Sequence, residues 1–190
     1  MRGVSDTRRL LLVNGPNLNL LGVREPAVYG EETLADVVRL VEETAAGLGF
    51  EVEAVQSNHE GVLIDALHAA RETCEGVVIN PGGLTHTSVV LRDALAAVAL
   101  PVAEVHISDT AAREEFRHFS YVSDLAAVVV VGQGVPGYAD AVRQLVDHLD
   151  TPLPVEMPED DASEDLPDPT DDDPTDDDQS DPTDQPGGTP

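Results

Sequence analysis

At 190 residues the chain has room for one globular domain of ordinary size, with some length left over. All ten arginines lie in the first 150 residues and there is no lysine, while 15 of the 37 acidic residues and nine of the 14 prolines fall in the last 40. That division implies a domain over residues 1–150 and a disordered acidic, Pro-rich tail over residues 151–190.

Without lysine the chain cannot use a Schiff-base nucleophile, a pyridoxal-phosphate lysine or the phosphate-binding lysine of a P-loop. The single Cys74 excludes an internal disulfide and a Cys-rich zinc site. A net charge of −27 opposes nucleic acid and anionic membranes, which carry the same sign. After Arg8 and Arg9 only a short apolar run precedes Asn14, too short for a signal peptide, and no run approaches the roughly 18 residues of a membrane span. The expected setting is cytoplasmic, with no nucleic-acid or membrane partner.

In chain order, residues 10–13 form a continuous apolar run ended by Asn14-Gly15-Pro16-Asn17, the pattern of a strand buried on both faces. Thr33 is a candidate N-cap. From there apolar residues recur at Leu34, Val37, Val38, Val41, Ala45 and Leu48 with helical spacing, closed by Gly49. Residues 52–55 alternate as a short strand, and Leu63, Ile64, Leu67 and Ala70 mark a second helix. The unit repeats with a strand at residues 77–79, ended by Asn80-Pro81-Gly82-Gly83, and a helix carrying Val90, Ala94, Leu95 and Val98. A strand runs from Pro101 through Ile107, a short helix is expected around residues 113–116, and residues 126–131 give the strongest strand signal. Tyr138, Ala141, Val142, Leu145, Val146 and Leu149 mark the last helix.

Strands alternating with helices through short loops predict an α/β fold, a five-stranded parallel sheet with helices on both faces. The flavodoxin-like strand order suits this length. In such sheets ligands bind beyond the carboxyl ends of the strands, so the loops there are where chemistry is expected.

Several loops bear on that chemistry. Residues 132–137 spell the glycine spacing of a dinucleotide-binding turn, but no further strand with an acidic end follows, so the context of a true βαβ site is missing. Glu104 and His106, two apart on a strand, share a face. They are either a general acid/base pair with its tautomer fixed by the carboxylate, or a buried hydrogen-bonded pair at a strand end. His86, in a loop entering a helix, is either incidental to an N-cap formed by Thr or Ser, or part of a carboxylate-binding helix entrance. Arg113 and Arg117 sit four apart, one turn of a helical face that Glu114 and Glu115 make read as solvated. Residues 15–32 lack periodicity and have the length of a lid. His86, His106 and His118 show no metal-ligand spacing, so no metal is expected.

Taken together these segments resemble the type II 3-dehydroquinate dehydratases. The matching motifs are Asn14-Gly15-Pro16-Asn17-Leu18-Asn19-Leu20-Leu21-Gly22, Arg24-Glu25-Pro26 with Tyr29-Gly30, Asn80-Pro81-Gly82-Gly83 with His86-Thr87-Ser88, Glu104-Val105-His106-Ile107-Ser108, and Arg113-Glu114-Glu115-Phe116-Arg117, in family order. The resemblance implies a cofactor-free hydro-lyase converting 3-dehydroquinate to 3-dehydroshikimate in the shikimate pathway of aromatic amino acid biosynthesis, by acid/base chemistry through an enolate. It implies Tyr29 as base, Arg24 as the cation favouring its phenolate with Arg113 as a second, Asn17 as enolate stabiliser, and His106 as acid oriented by Glu104. It also implies that Asn80, Ile107 and Ser108 hold the substrate carboxylate and a neighbouring hydroxyl, and that His86 and Arg117 meet ring hydroxyls. Asp93 is implied to reach a neighbouring subunit's site, in trimers that associate into a dodecamer. The chain departs from the family at Asp109 and Ala111, where many relatives carry Asn and His, which implies added negative charge near an anionic substrate. The competing reading is a non-catalytic flavodoxin-like module binding flavin or nucleotide through residues 132–137.

The tail repeats Asp-Pro-Thr-Asp beginning at Asp168, Asp173 and Asp181 and carries almost no large apolar side chain, so it cannot offset the entropy of ordering. Its charge is screened beyond about 8–10 Å at physiological salt. Truncation after Asp150 is therefore expected to leave kcat/KM within a few-fold, measured by enone absorbance. A truncated protein that assembles normally yet loses most of its activity would place the tail in the catalytic machinery.

Overall fold

The computed structural model describes residues 7–23 and 32–151. Arg24, Tyr29 and residues 152–190 of the acidic tail lie outside the described residues. Five parallel strands, β1 (Arg8–Asn14), β2 (Phe50–Gln56), β3 (Gly76–Asn80), β4 (Val102–His106) and β5 (Val128–Val131), form one sheet in the order β2-β1-β3-β4-β5. This is the flavodoxin-like order expected from the sequence. Four helices connect and follow them: α1 (Leu34–Gly47), α2 (Glu60–Ala70), α3 (Val89–Val98) and α4 (Pro136–Asp150).

Alternation along the central strands splits the core in two. Leu10, Leu12, Val78, Ala103 and Val105 face α1 and α4, where Val37, Val41, Tyr138, Val142 and Leu145 meet them. Leu11, Val13, Val77, Ile79 and Val102 face α2 and α3, against Leu63, Leu67, Leu91 and Leu95. A run such as residues 10–13 is wholly apolar because both its faces are covered. Thr33 does cap α1: its hydroxyl accepts from the Asp36 N–H while the Asp36 carboxylate accepts from the Thr33 N–H, a reciprocal capping box.

Two local expectations change. The strongest strand signal, residues 126–131, falls on an edge strand whose Val129 and Val131 remain exposed, because β5 has a helix against one face only of this chain. Residues 113–117 do not form a helical turn with both arginines on one face. Only a short 3₁₀ turn, Glu115–Arg117, is present, and Arg113 precedes it. Glu114 has extended backbone, φ −61° and ψ 142°, which separates Arg113 from the turn, and its carboxylate pairs with Arg117 at 2.8 Å.

Strand order reverses between β1 and β3, and there the loops leaving the two strands touch. Gly15 N–H donates to the Asn80 carbonyl at 2.8 Å. A Cβ on Gly15 would lie 2.4 Å from the Pro81 carbonyl oxygen, an impossible approach for any other residue without backbone movement. Gly15→Ala is therefore expected to lower stability by roughly 2–3 kcal/mol in urea unfolding. Gly61→Ala in α2, where a Cβ meets nothing within 4 Å, should instead stabilise by up to about 1 kcal/mol. Equal effects of the two substitutions would refute the close-approach account.

Candidate active site

The loops after β1, β3 and β4 enclose a cleft of about 220 Å³. Its polar lining comes from Asn17, Asn80, His86, His106, Ser108, Thr110, Arg113 and Arg117, and its apolar wall includes Leu18, Leu20, Leu21 and Ile107. No described carboxylate lines it, although the chain carries 37 acidic residues. The cleft is thus a local cationic well in an acidic protein, suited to a small polar anion.

Each polar group is held by its element. Asn17 sits at φ 69°, the left-handed region that asparagine tolerates better than most residues, and its N–H donates to Asn58 Oδ1 at 2.8 Å. Asn80 ends β3 directly beside Asn14, which ends β1. Its amide donates to the Tyr138 hydroxyl at 2.8 Å, and that hydroxyl donates to Asn14 Oδ1, also at 2.8 Å. Asn80 Oδ1 accepts from the Gly82 N–H, so the orientation of the side-chain amide is determined. Complete burial pushes the Tyr138 phenol well above its ordinary range; it is a neutral hydrogen-bond link, not a base.

His86 lies in the 3₁₀ turn Gly82–His86, with Nδ1 2.6 Å from the Phe119 carbonyl. The cap of α3 is Ser88, whose hydroxyl accepts from the Leu91 N–H, so His86 is released to the cleft wall. Arg113 and Arg117 both line the cleft, and Arg117 Nε donates to Glu114 at 2.8 Å on its outer side.

The strongest electrostatic feature stands behind His106. Glu104 is completely buried, and its Oε1 lies 2.8 Å from His106 Nε2. Burial pushes its carboxyl up, but hydrogen bonds from His106, Ser123 and Thr85 outweigh this and hold it at about 2. An ionised carboxylate only accepts, so Nε2 carries the hydrogen and Nδ1 is the ring nitrogen left for a ligand. The pair is therefore both buried and suited to acid/base work; the two readings of the sequence are not exclusive.

Of the residues picked out from sequence, the cleft gathers Asn17, Asn80, His86, His106, Ile107, Ser108, Arg113 and Arg117, with Glu104 directly behind. Asp93 is exposed on α3 and does not line it. Asp109 does not line it either: its carboxylate accepts from the Ala111 N–H at 2.9 Å in a local turn, so the added charge expected there is not on the cleft wall. The glycine spacing at residues 132–137 builds a turn. Gly132 and Gly134, at φ 76° and 65°, donate their N–H groups to the carbonyls of His106 and Ile107, leaving neither for a phosphate. Thr85, Ser120, Ser123 and Tyr138 escaped the sequence reading as site residues. They touch the site residues only through tertiary contacts, and no spacing announces them. Among the described residues no group of three or more His, Cys, Asp or Glu could hold a metal ion.

Residues 8–146 match the family model for dehydroquinase class II. The chain is 62% identical over 142 residues to 3-dehydroquinate dehydratase 1 of Corynebacterium efficiens, covering 75% of this chain and 94% of that one. It is 59% identical over 140 residues to catabolic 3-dehydroquinase 2 of Aspergillus flavus, covering 74% and 93%. Among solved structures, type II dehydroquinase from Butyrivibrio crossotus superposes with a TM-score of 0.72 at 44% identity, covering 74% of this chain and 99% of that one.

Glu104 gives the site a pH signature. Its folded-state value of about 2 lies below the ordinary 4.5, so its contribution is present in full above pH 4.5 and is lost as pH falls toward 2. The shift is worth roughly 3 kcal/mol. Urea unfolding between pH 5 and 2.5 should therefore show the wild type losing more stability than Glu104→Gln. Parallel losses would mean that the buried carboxylate is not ionised.

Proposed function

The chain belongs to the class II dehydroquinase family and dehydrates 3-dehydroquinate reversibly to 3-dehydroshikimate, and we propose that it does so by acid/base chemistry alone, with Tyr29 as base and His106 as acid. The observation that carries this reading is His106 on the wall of a cleft that no described carboxylate lines, backed by the buried Glu104 at 2.8 Å.

The C2 proton of the substrate is acidified by the C3 ketone. Tyr29 as phenolate removes it, and the C–H electron pair becomes the enolate, with negative charge on the C3 oxygen. Asn17, acting through a bound water, stabilises that oxygen. As the C3 carbonyl re-forms, the pair moves to make the C1–C2 double bond. The C1 hydroxyl departs as water with a proton from His106 Nδ1. A free phenol titrates near about 10, so Tyr29 needs neighbouring cations to ionise near neutrality. Arg24, five residues before Tyr29 in the sequence, and Arg113, which lines the cleft, fill that role. Asn80, Ile107 and Ser108 receive the carboxylate and adjacent hydroxyl, and His86 and Arg117 the ring hydroxyls.

The same reading makes the protein a cytoplasmic homo-oligomer of trimers in a dodecamer, with Asp93 reaching a neighbouring subunit's cleft. Supporting it are the exposure of Asp93 away from its own cleft and the apolar Val89, Val90, Phe116 and Phe119, each about half exposed or more. No helix among the described residues is long and apolar enough to cross a membrane.

Tyr29→Phe is expected to lower kcat by about 10³-fold or more while substrate binding stays measurable by calorimetry. An intact rate would sink the assignment of the base. His106→Ala should lower kcat by roughly 10²–10⁴-fold, whereas an effect confined to KM would make His106 a binding residue. Chelators and borohydride should leave the rate unchanged, since the mechanism uses neither metal nor imine.

A further inference from the structure

Three hydroxyls surround the Glu104 carboxylate, and none belongs to the cleft lining. Thr85 Oγ1 donates to Glu104 Oε1 at 2.6 Å and Ser120 Oγ to the same oxygen at 2.9 Å. The Ser123 hydroxyl donates to Oε2. Thr85 comes from the 3₁₀ turn after β3, and Ser120 and Ser123 from the segment between β4 and β5. We propose that Thr85, Ser120 and Ser123 are positioning residues that pin the proton shared by Glu104 and His106 on the imidazole, so that His106 meets the substrate with a fixed tautomer and a fixed ring plane.

The donor inventory carries the argument. Ser120 Oγ accepts from the N–H groups of Val122 and Ser123, and its own hydrogen serves Glu104 Oε1 at 2.9 Å or Thr85 Oγ1 at 2.7 Å. The carboxylate then faces His106 Nε2 and Thr85 on Oε1 and Ser123 on Oε2, with Ser120 either a further donor or the support of Thr85. The contacts with His106, Thr85 and Ser123 each already hold a hydrogen, so a proton moved onto Glu104 would oppose one of them. Among the described residues His106 is the only ionisable partner within hydrogen-bond distance of Glu104. The strand neighbours in register, Ile79 and Val129, are apolar. The nearby Asp124 pairs with Arg92 at 3.7 Å on the exposed side. The His106 ring, together with the hydroxyls of Ser123 and Thr85, keeps the buried group ionised, in accord with its low value.

The segment is itself anchored. Tyr121 N–H donates to the Thr85 carbonyl at 2.8 Å, and the Tyr121 carbonyl accepts from Arg92. The Phe119 carbonyl meets His86 Nδ1. Both cleft histidines thus lean on residues 119–123, one through a carbonyl and one through Glu104. The proposal rests on the reading of His106 as general acid, and its test separates the two.

Ser123→Ala is the cleanest probe, because the Ser123 side chain bonds only to Glu104; Thr85→Val and Ser120→Ala follow, and Ser123→Thr keeps the hydroxyl. In full-length protein, Ser123→Ala should move the basic limb of kcat/KM, which reports proton loss from the His106–Glu104 pair, up by about one pH unit. It should lower kcat about tenfold with KM within twofold, and Ser123→Thr should restore both. In ¹⁵N NMR of histidine-labelled protein, the His106 Nε2 signal should move toward that of an unprotonated ring nitrogen in Ser123→Ala. If folded Ser123→Ala and Thr85→Val both leave the limb and the ring signals unchanged, the proposal is overturned. A moved ring signal with unchanged turnover would uphold the hydroxyl cage and overturn the acid role of His106.

Discussion

Burying a carboxylate costs several kcal/mol unless hydrogen bonds replace the water it loses, and Glu104 has no exposed surface at all. Much of the architecture above the sheet satisfies that requirement. The segment between β4 and β5 folds back over the strand ends so that Ser120 and Ser123 reach the carboxylate, and the turn after β3 brings Thr85 from the other side. Once those contacts are made, His106 is oriented by Glu104 and His86 by the Phe119 carbonyl, while the part of the segment nearer β4 supplies Arg113 and Arg117 to the cleft. The geometry of the cleft and the burial of one charge share a single set of bonds.

A second constraint acts where β1 and β3 end side by side. The close backbone approach of Gly15 to Pro81 brings the two loops into contact, and the Tyr138 hydroxyl links Asn14 to Asn80 beneath them. A neutral, buried phenol is well suited to this: it gives one hydrogen and takes one, so it orients two amides without adding charge. The cleft above can then remain free of described carboxylates in a chain of net charge −27. Among the described residues, the always-charged side chains lining the site are the arginines Arg113 and Arg117.

Legibility in the sequence followed the range of each interaction. Continuous apolar runs in β1 and β3, helical spacing in α1 and the Thr33 cap are local patterns, and they read directly into elements. Glu104 and His106 were readable as neighbours because residues two apart on a strand share a face. The Asp109 carboxylate is held off the cleft wall in an Asx turn with the Ala111 N–H, something only its backbone neighbours decide. The helical face expected for Arg113 and Arg117 does not form because Glu114 between them takes an extended backbone, which charge spacing in the sequence does not reveal.

The sequence by itself determined the alternating strands and helices, the polar strand ends where chemistry gathers, and the motifs shared with dehydroquinases. Those depend on periodicity and short-range spacing, which a chain carries whatever its fold. Tertiary structure alone decided that three hydroxyls, 16 to 19 residues away from Glu104, close around its carboxylate. It alone decided that Tyr138, 124 residues from Asn14, ties two strand ends together. Hydrogen bonds between groups so distant in the chain leave no period and no motif, because only the folded backbone sets the distance between them.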